Sequence, residues 1–207
     1  MTGVILSGGR NSRIGLKKAF LEIEGKRIID RTVEIYKKVF DEILIITNTP
    51  EDYQYLSPKF LMGDPKLKIY TDLIPHRGSL GGIYTGLNYS KSEYAFFSAC
   101  DMPFINEKVI RHIIKGARGN GQGAKDYDII VPYFKRRLHP LHAVYSKRCL
   151  QIFKEMAEED RLKIKDLFSR FKVKRITDIP ETKLPPFFNI NTIEDYKKAV
   201  SALNKSK

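Results

Sequence analysis

A chain of 207 residues, 42% hydrophobic and 29% charged, can bury one substantial core and is too apolar to be disordered along its length. Two cysteines, Cys100 and Cys149, exclude a disulfide framework, and neither has a Cys or His at metal-ligand spacing. The formal charge of +13 suits either an anionic partner, whether nucleotide, phosphorylated cofactor or nucleic acid, or simply a lysine-rich solvated surface, the reading that fits most of the lysines.

In chain order, Val4 to Leu6 reads as a buried strand ending in Gly8-Gly9. Its opening apolar run is too short for a signal peptide, and no run approaches the ~20 apolar residues that span a bilayer, so a cytoplasmic protein without a membrane partner is expected. Ile28 to Phe40 carries an apolar stripe at helical period, and Ile43 to Ile46 is a second strand. Leu67 to Tyr70 is a third strand, Leu80 to Tyr89 a helix with a glycine-rich start, and Tyr94 to Ala99 a fourth strand. Glu107 to Lys115 is helical, and Gly116 to Lys125, with four glycines, reads as a mobile loop.

Ile129 to Tyr133 and Leu141 to Tyr145 read as strands joined by the turn Lys135-Arg136-Arg137. Lys147 to Ala157 and Ile164 to Phe171 are expected helices, and Val173 to Ile176 a last short strand. Thr192 to Leu203 closes the chain as a helix, with Thr192 as N-cap and Asp195 in the acidic position three residues on. Strands alternating with helices predict a Rossmann-like, doubly wound α/β fold: one domain over 1–207, a mostly parallel sheet, and helices on both faces. Ligands of such sheets bind outside the carboxyl ends of the strands, which points to Gly8 to Lys18, Asn48, Asp72 and Asp101.

Four stretches carry the chemistry. In Leu6-Ser7-Gly8-Gly9…Arg13-Ile14-Gly15…Lys18, glycines let backbone N–H groups approach phosphate oxygens, and Arg13 and Lys18 bring positive charge. The spacing fits neither a P-loop nor GxGxxG. Asp72 precedes Gly78-Ser79-Leu80-Gly81-Gly82, a glycine-rich helix start that can meet an anion or a base. Asp101 in Ala99-Cys100-Asp101-Met102-Pro103 ends an apolar strand and is placed either to hold Mg²⁺ together with phosphate oxygens or to cap the next turn. Asn189 and Asn191 flank Ile190 and point the same way on an extended chain, toward a ligand or toward loop backbone.

These stretches, with Pro140-Leu141-His142-Ala143, resemble the molybdenum cofactor guanylyltransferases, and the resemblance runs nearly end to end. It implies transfer of GMP from Mg²⁺-GTP to molybdopterin cofactor, releasing pyrophosphate. It further implies that Leu6, Ser7, Gly8 and Asn48 contact the nucleotide, with Gly9 in the same turn. Lys18 would meet the phosphates, Asp72 the guanosine, and Asp101 would bind Mg²⁺. Ser7 departs from the alanine often found there. Catalysis would rest on charge neutralisation by Mg²⁺, Lys18 and Arg13, with Asp101 counted as catalytic because it holds the metal; an acceptor phosphate is already an anionic nucleophile and needs no histidine base. Transient contact with cofactor-biosynthesis proteins or molybdoenzymes is the protein partnership that this implies. Arg137, from the basic turn, and Asn189 and Asn191, from the last loop, are the candidate acceptor contacts, the rival reading being a soluble hairpin edge.

The alternatives are the cytidylyltransferase of the same cofactor, another nucleotidyltransferase, or a nucleotide- or nucleic-acid-binding module. Gly8-Gly9 and Gly81-Gly82 favour a purine, which needs more room against the backbone. Lysines interleaved with acidic residues, as from Glu155 to Lys165, and the lack of clustered aromatics on a basic face speak against nucleic acid.

Overall fold

The computed structural model describes residues 1–8, 17–56, 66–118, 126–159 and 168–205. Its main sheet has the strand order β10-β7-β9-β6-β1-β4-β5, with β8 pairing on β7. The strands are β1 (Thr2–Leu6), β4 (Glu42–Thr47), β5 (Leu67–Thr71), β6 (Tyr94–Ala99), β7 (Ile129–Phe134), β8 (Arg137–Leu138), β9 (His142–Ser146) and β10 (Val173–Ile176). Pairing is parallel for β1 with β4 and β6, for β4 with β5, and for β10 with β7. Strand β9 runs antiparallel to both its neighbours. The expected doubly wound, mostly parallel sheet is therefore what forms.

Strands β1 and β4 are buried at every position, as strands covered on both faces must be. Alternation sends Ile5 to one face, under α1 (Ile28–Val39) and α3 (Glu107–Arg118). Val4 and Leu6 go to the other, under α2 (Gly78–Tyr89) and α4 (Leu150–Glu158). Helix α2 lies close on the sheet because of Gly86, where a Cβ would fall 2.6 Å from the Phe97 ring and 2.7 Å from Val4. A third, smaller core of Leu21, Ile23, Ile28, Phe104, Ile190 and Ala199 ties the hairpin β2–β3 (Glu22–Ile23, Lys26–Arg27) to α5 (Ile193–Asn204). Helix α5 starts at a capping box between Thr192 and Asp195, as its sequence predicts.

Several boundaries differ from the sequence reading. Gly116 belongs to α3, which runs on to Arg118, because its lack of a side chain lets the helix approach Ile176 on β10; residues 119–125 of the expected loop lie outside the described residues. Lys147–Cys149 is a 3-10 turn before α4, with the Ser146 hydroxyl accepting from the Arg148 N–H. Residues 168–170 form a 3-10 turn and not the end of an α-helix; 164–167 lie outside the described residues. The basic turn is Lys135-Arg136 alone, both with positive φ (47° and 59°), and Arg137 already pairs with Phe134 in β8. Among the described residues no helix is long and apolar enough to cross a membrane.

Candidate active site

Strand order reverses at β1: the chain moves outward from β1 to β4 and β5, then crosses back to β6 on the other side. Such a switch point opens a crevice at the carboxyl ends of the strands. The register is even. Leu6 pairs with Ile46 and with Ala99, and Ile46 pairs with Tyr70, so these four residues form one rung. Gly8, Asn48, Asp72 and Asp101 each stand two residues beyond that rung. All four line one cleft, together with Leu6, Ser7 and Lys18.

At the β6 end, Lys18 Nζ lies 3.2 Å from Asp101 Oδ2 and donates to Asn191 Oδ1 at 2.9 Å. Asn189 Nδ2 donates to Asp101 Oδ1 at 2.8 Å. Lys18 opens a 3-10 turn, Lys18–Phe20, seated by buried Ala19 and by Phe20 packing on Tyr53. The asparagines are delivered by Ile190, which is fully buried and donates its N–H to the Asp101 carbonyl at 2.9 Å. Alternation then turns both amides toward the lysine–aspartate pair. Asp101 thus stands in a cationic and amide surround, open to the cleft, with its side chain 17% exposed.

The described residues contain no group of three or more His, Cys, Asp or Glu able to hold a metal by themselves. A divalent ion would have to be shared between Asp101 and substrate phosphates. One carboxylate plus phosphate oxygens and water is the habit of a small, hard, oxygen-loving cation, so the donor set fits one.

Across the cleft, Asp72 is largely buried. Burial raises its pKa, against the lowering effect of hydrogen bonds from Thr85 and the Ile74 N–H. The Ser7 hydroxyl is hydrogen-bonded to the Tyr53 hydroxyl, so the serine at this place has a partner inside the protein. Tyr53 comes from the 3-10 turn Pro50–Leu56 and walls the cleft beside Asn48; the sequence reading missed it, since nothing in the segment distinguishes the buried Tyr53 from the exposed Tyr55 two residues on. Cys100 also borders the cleft, and its residue as a whole is partly exposed. Burial pushes its thiol up to about 12, so it remains a neutral SH.

No histidine is among the residues lining the cleft. His142 is fully buried, its pKa brought down to about 3 by burial and by His139, and no described group hydrogen-bonds either ring nitrogen. His139 stacks on Phe187, with ring centroids 4.2 Å apart. Arg137 is exposed on β8 and does not line the cleft, whereas Asn189 and Asn191 join Asp101 and Lys18. Asn189 and Asn191 meet at the lysine–aspartate pair, and no described hydrogen bond or ion pair joins Arg137 to them. Gly9 and Arg13 lie outside the described residues.

A switch-point cleft on a mostly parallel sheet, with a lysine–carboxylate pair at one end, is shaped to take a phosphorylated ligand, and the chain's relatives make the class that of a nucleotidyltransferase. The sequence matches the MobA-like NTP transferase domain over residues 3–174. A molybdenum cofactor guanylyltransferase of Desulfosudis oleivorans is 38% identical over 98% of this chain and 96% of its own. The solved structure of molybdopterin-guanine dinucleotide biosynthesis protein A from Archaeoglobus fulgidus is similar with a TM-score of 0.79 and 25% identity, covering 99% of this chain and all of its own. The 4-diphosphocytidyl-2C-methyl-D-erythritol synthase of Anaerococcus prevotii, 15% identical with a TM-score of 0.72 over 98% and 95% of the two chains, shares the fold. The chain belongs to the MobA-like NTP transferases and, within them, to the molybdenum cofactor guanylyltransferase family.

Proposed function

We propose that this protein transfers GMP from Mg²⁺-GTP to the terminal phosphate of molybdopterin cofactor, forming the guanine dinucleotide cofactor and pyrophosphate. The observation that carries the site assignment is the row of Asp101, Gly8, Asn48 and Asp72 on one level of the sheet, with Lys18 beside Asp101. Adjacent strands are about 4.8 Å apart, so Asp101 and Asp72, three strands apart, are separated by roughly 14 Å. An extended nucleotide lies along that row. Its triphosphate belongs at the Lys18 end, because Asp72 is a buried carboxylate whose described partners are a hydroxyl and an amide, and it would repel phosphate.

An oxygen of the acceptor phosphate attacks the α-phosphorus of GTP. The bond between the α-phosphorus and its bridging oxygen breaks, and pyrophosphate leaves with the electron pair. The nucleophile is anionic at the start, so no residue has to take a proton from it. Lys18 holds the phosphates and offsets the charge that builds on the leaving group, and the Gly8 turn supplies backbone N–H groups. Asp101 would hold Mg²⁺ together with phosphate oxygens, and the ion would supply electrostatic stabilisation of the same charge. Arg13 adds a further cation in this reading. Asn189 and Asn191 meet the acceptor's phosphate end, and Arg137, exposed on β8, is a cation open to the acceptor. The reading carries with it a cytoplasmic location and transient contact with proteins that receive the finished cofactor.

A thermal-shift panel of GTP, CTP, ATP and UTP with Mg²⁺ tests the nucleotide, since only a ligand of the folded state raises stability. GTP-selective stabilisation, followed by pyrophosphate release that depends on molybdopterin cofactor, is the expected result. Equal shifts with all four, or release indifferent to the acceptor, would overturn it.

A further inference from the structure

Asp72 is held in one orientation by the neighbouring helix. Thr85 is fully buried on α2, and its hydroxyl donates to Asp72 Oδ1 at 2.7 Å while accepting the Leu73 N–H at 2.9 Å. The Ile74 N–H donates to the same Oδ1 at 3.1 Å. With Oδ1 committed to two donors, Oδ2 is the oxygen left for a ligand. Gly81 stands four residues before Thr85, on the same helical face. A Cβ there would fall 3.0 Å from Asp72 Oδ2 and 2.6 Å from the Ile74 carbonyl oxygen, so any side chain at 81 would displace the carboxylate or the turn that carries it. Threonine fixes the carboxylate from one side, and glycine leaves the other side clear.

We propose that Thr85 is a positioning residue for base selection, aiming Asp72 Oδ2 at the N–H edge of the purine. This inference rests on the GTP reading above and on the direction in which the nucleotide lies along the row. A carboxylate only accepts hydrogen bonds when ionised. Guanine presents two adjacent donors on one edge, N1–H and the 2-amino group. Adenine and cytosine present a ring nitrogen acceptor beside their amino group, which would oppose the carboxylate. Asp72 so placed rewards guanine and penalises the other two, and the reward depends on where Oδ2 points.

The test compares Thr85→Val, which keeps the shape and removes the hydroxyl, with Thr85→Ser, which keeps the hydroxyl. GTP, inosine triphosphate (which lacks the 2-amino group) and CTP are titrated by calorimetry with Mg²⁺ into the wild type and both variants, each checked for an intact thermal transition. The wild type should bind GTP more tightly than inosine triphosphate. Thr85→Val should weaken GTP by about tenfold, the worth of one charge-assisted hydrogen bond, and narrow the ratio between the two purines. Thr85→Ser should keep the wild-type ratio and, if Thr85→Val proves unfolded, serves against Asp72→Asn as the second comparison. Equal weakening of both purines in Thr85→Val, or an unchanged ratio in Asp72→Asn, would reduce Thr85 to a structural role and overturn the inference while leaving GTP as the substrate. A wild type that prefers CTP would overturn the GTP reading itself, and the inference with it.

Discussion

Asp101 and Asp72 stand at the same height above the sheet, each two residues beyond one shared rung, on strands with β1 and β4 between them. One carboxylate is paired with a lysine and the Asn189 amide, the other with a hydroxyl and a backbone N–H. The cleft is thereby polarised, with its cation at one end and an acceptor at the other.

Lys18→Ala and Asp101→Ala should each lower turnover by about 10²-fold or more while the fold persists, because the first removes the cation aimed at the reacting phosphates and the second the carboxylate that would hold the divalent ion there. Asn189 still bonds Asp101 in the first variant, and Asn191 still bonds Lys18 in the second, so the surrounding loops keep a tie. Pyrophosphate release and the thermal midpoint, measured together, separate lost chemistry from lost folding. Near-wild-type release by either variant would remove that residue from the mechanism.

Arg137→Ala should raise KM for molybdopterin cofactor and leave GTP affinity unchanged. Its exposed position on β8 means that removal should alter stability by no more than about 0.5 kcal/mol. Asn191→Ala should raise the same KM and also lower kcat, since Asn191 holds Lys18. Steady-state kinetics in both substrates decide the matter. A lost GTP affinity in Arg137→Ala, or no effect on either substrate, takes Arg137 out of the acceptor site.

Gly8→Ala is expected to fold, because the added Cβ would stand 3.5 Å from Asn48 Nδ2, an ordinary contact distance. The methyl group intrudes on the cleft where a purine needs the room. The ratio of kcat/KM for GTP to that for CTP should therefore fall. An unchanged ratio would place purine selection elsewhere than at Gly8.

Stability should depend on pH through Glu42 at the other end of the sheet. Burial raises its pKa, but the Lys91 N–H, the Thr2 hydroxyl and Lys68 together lower it more, so the net shift is downward. A carboxylate with a depressed folded pKa stabilises the protein above its unfolded pKa, and the contribution is lost as pH falls through the folded value. The thermal midpoint should accordingly drop on acidification below the ordinary glutamate range. Glu42→Gln should cost on the order of 1–3 kcal/mol at neutral pH and flatten that acid limb. A limb of unchanged steepness in the variant would assign the acid sensitivity to other groups.

Much of this was legible in the chain because parallel-sheet physics writes itself locally. Tyr94 to Ala99, largely apolar and aromatic, and Val173 to Ile176, bounded by β-branched residues, form strands with the bounds expected of them, and Thr192 with Asp195 caps the last helix as their spacing demands. The alternation of strand and helix was enough to place Asn48, Asp72 and Asp101 after strand ends, since ligands gather there whatever the side chains are. Short-range cues failed where a distant partner decides the conformation. Gly116 looks like a loop glycine, yet it lies within α3 where β10 brings Ile176 so close that a side chain would collide with it. The two-residue strands β2, β3 and β8 are too short to carry a periodic signal.

The sequence by itself determined the fold class, the family and which polar residues stand at the carboxyl edge, because composition, periodicity and motif order are local properties of the chain. Only the tertiary structure decided how those residues combine. Asn189 and Asn191 are remote in sequence from Lys18 and Asp101, and their meeting depends on Ile190 being buried in the small third core. The orientation of Asp72 likewise comes from Thr85, thirteen residues on, through a helix packed against the sheet. The pairing register that sets Asp72 and Asp101 on one level is a sum over many backbone hydrogen bonds, and no single stretch of sequence contains it.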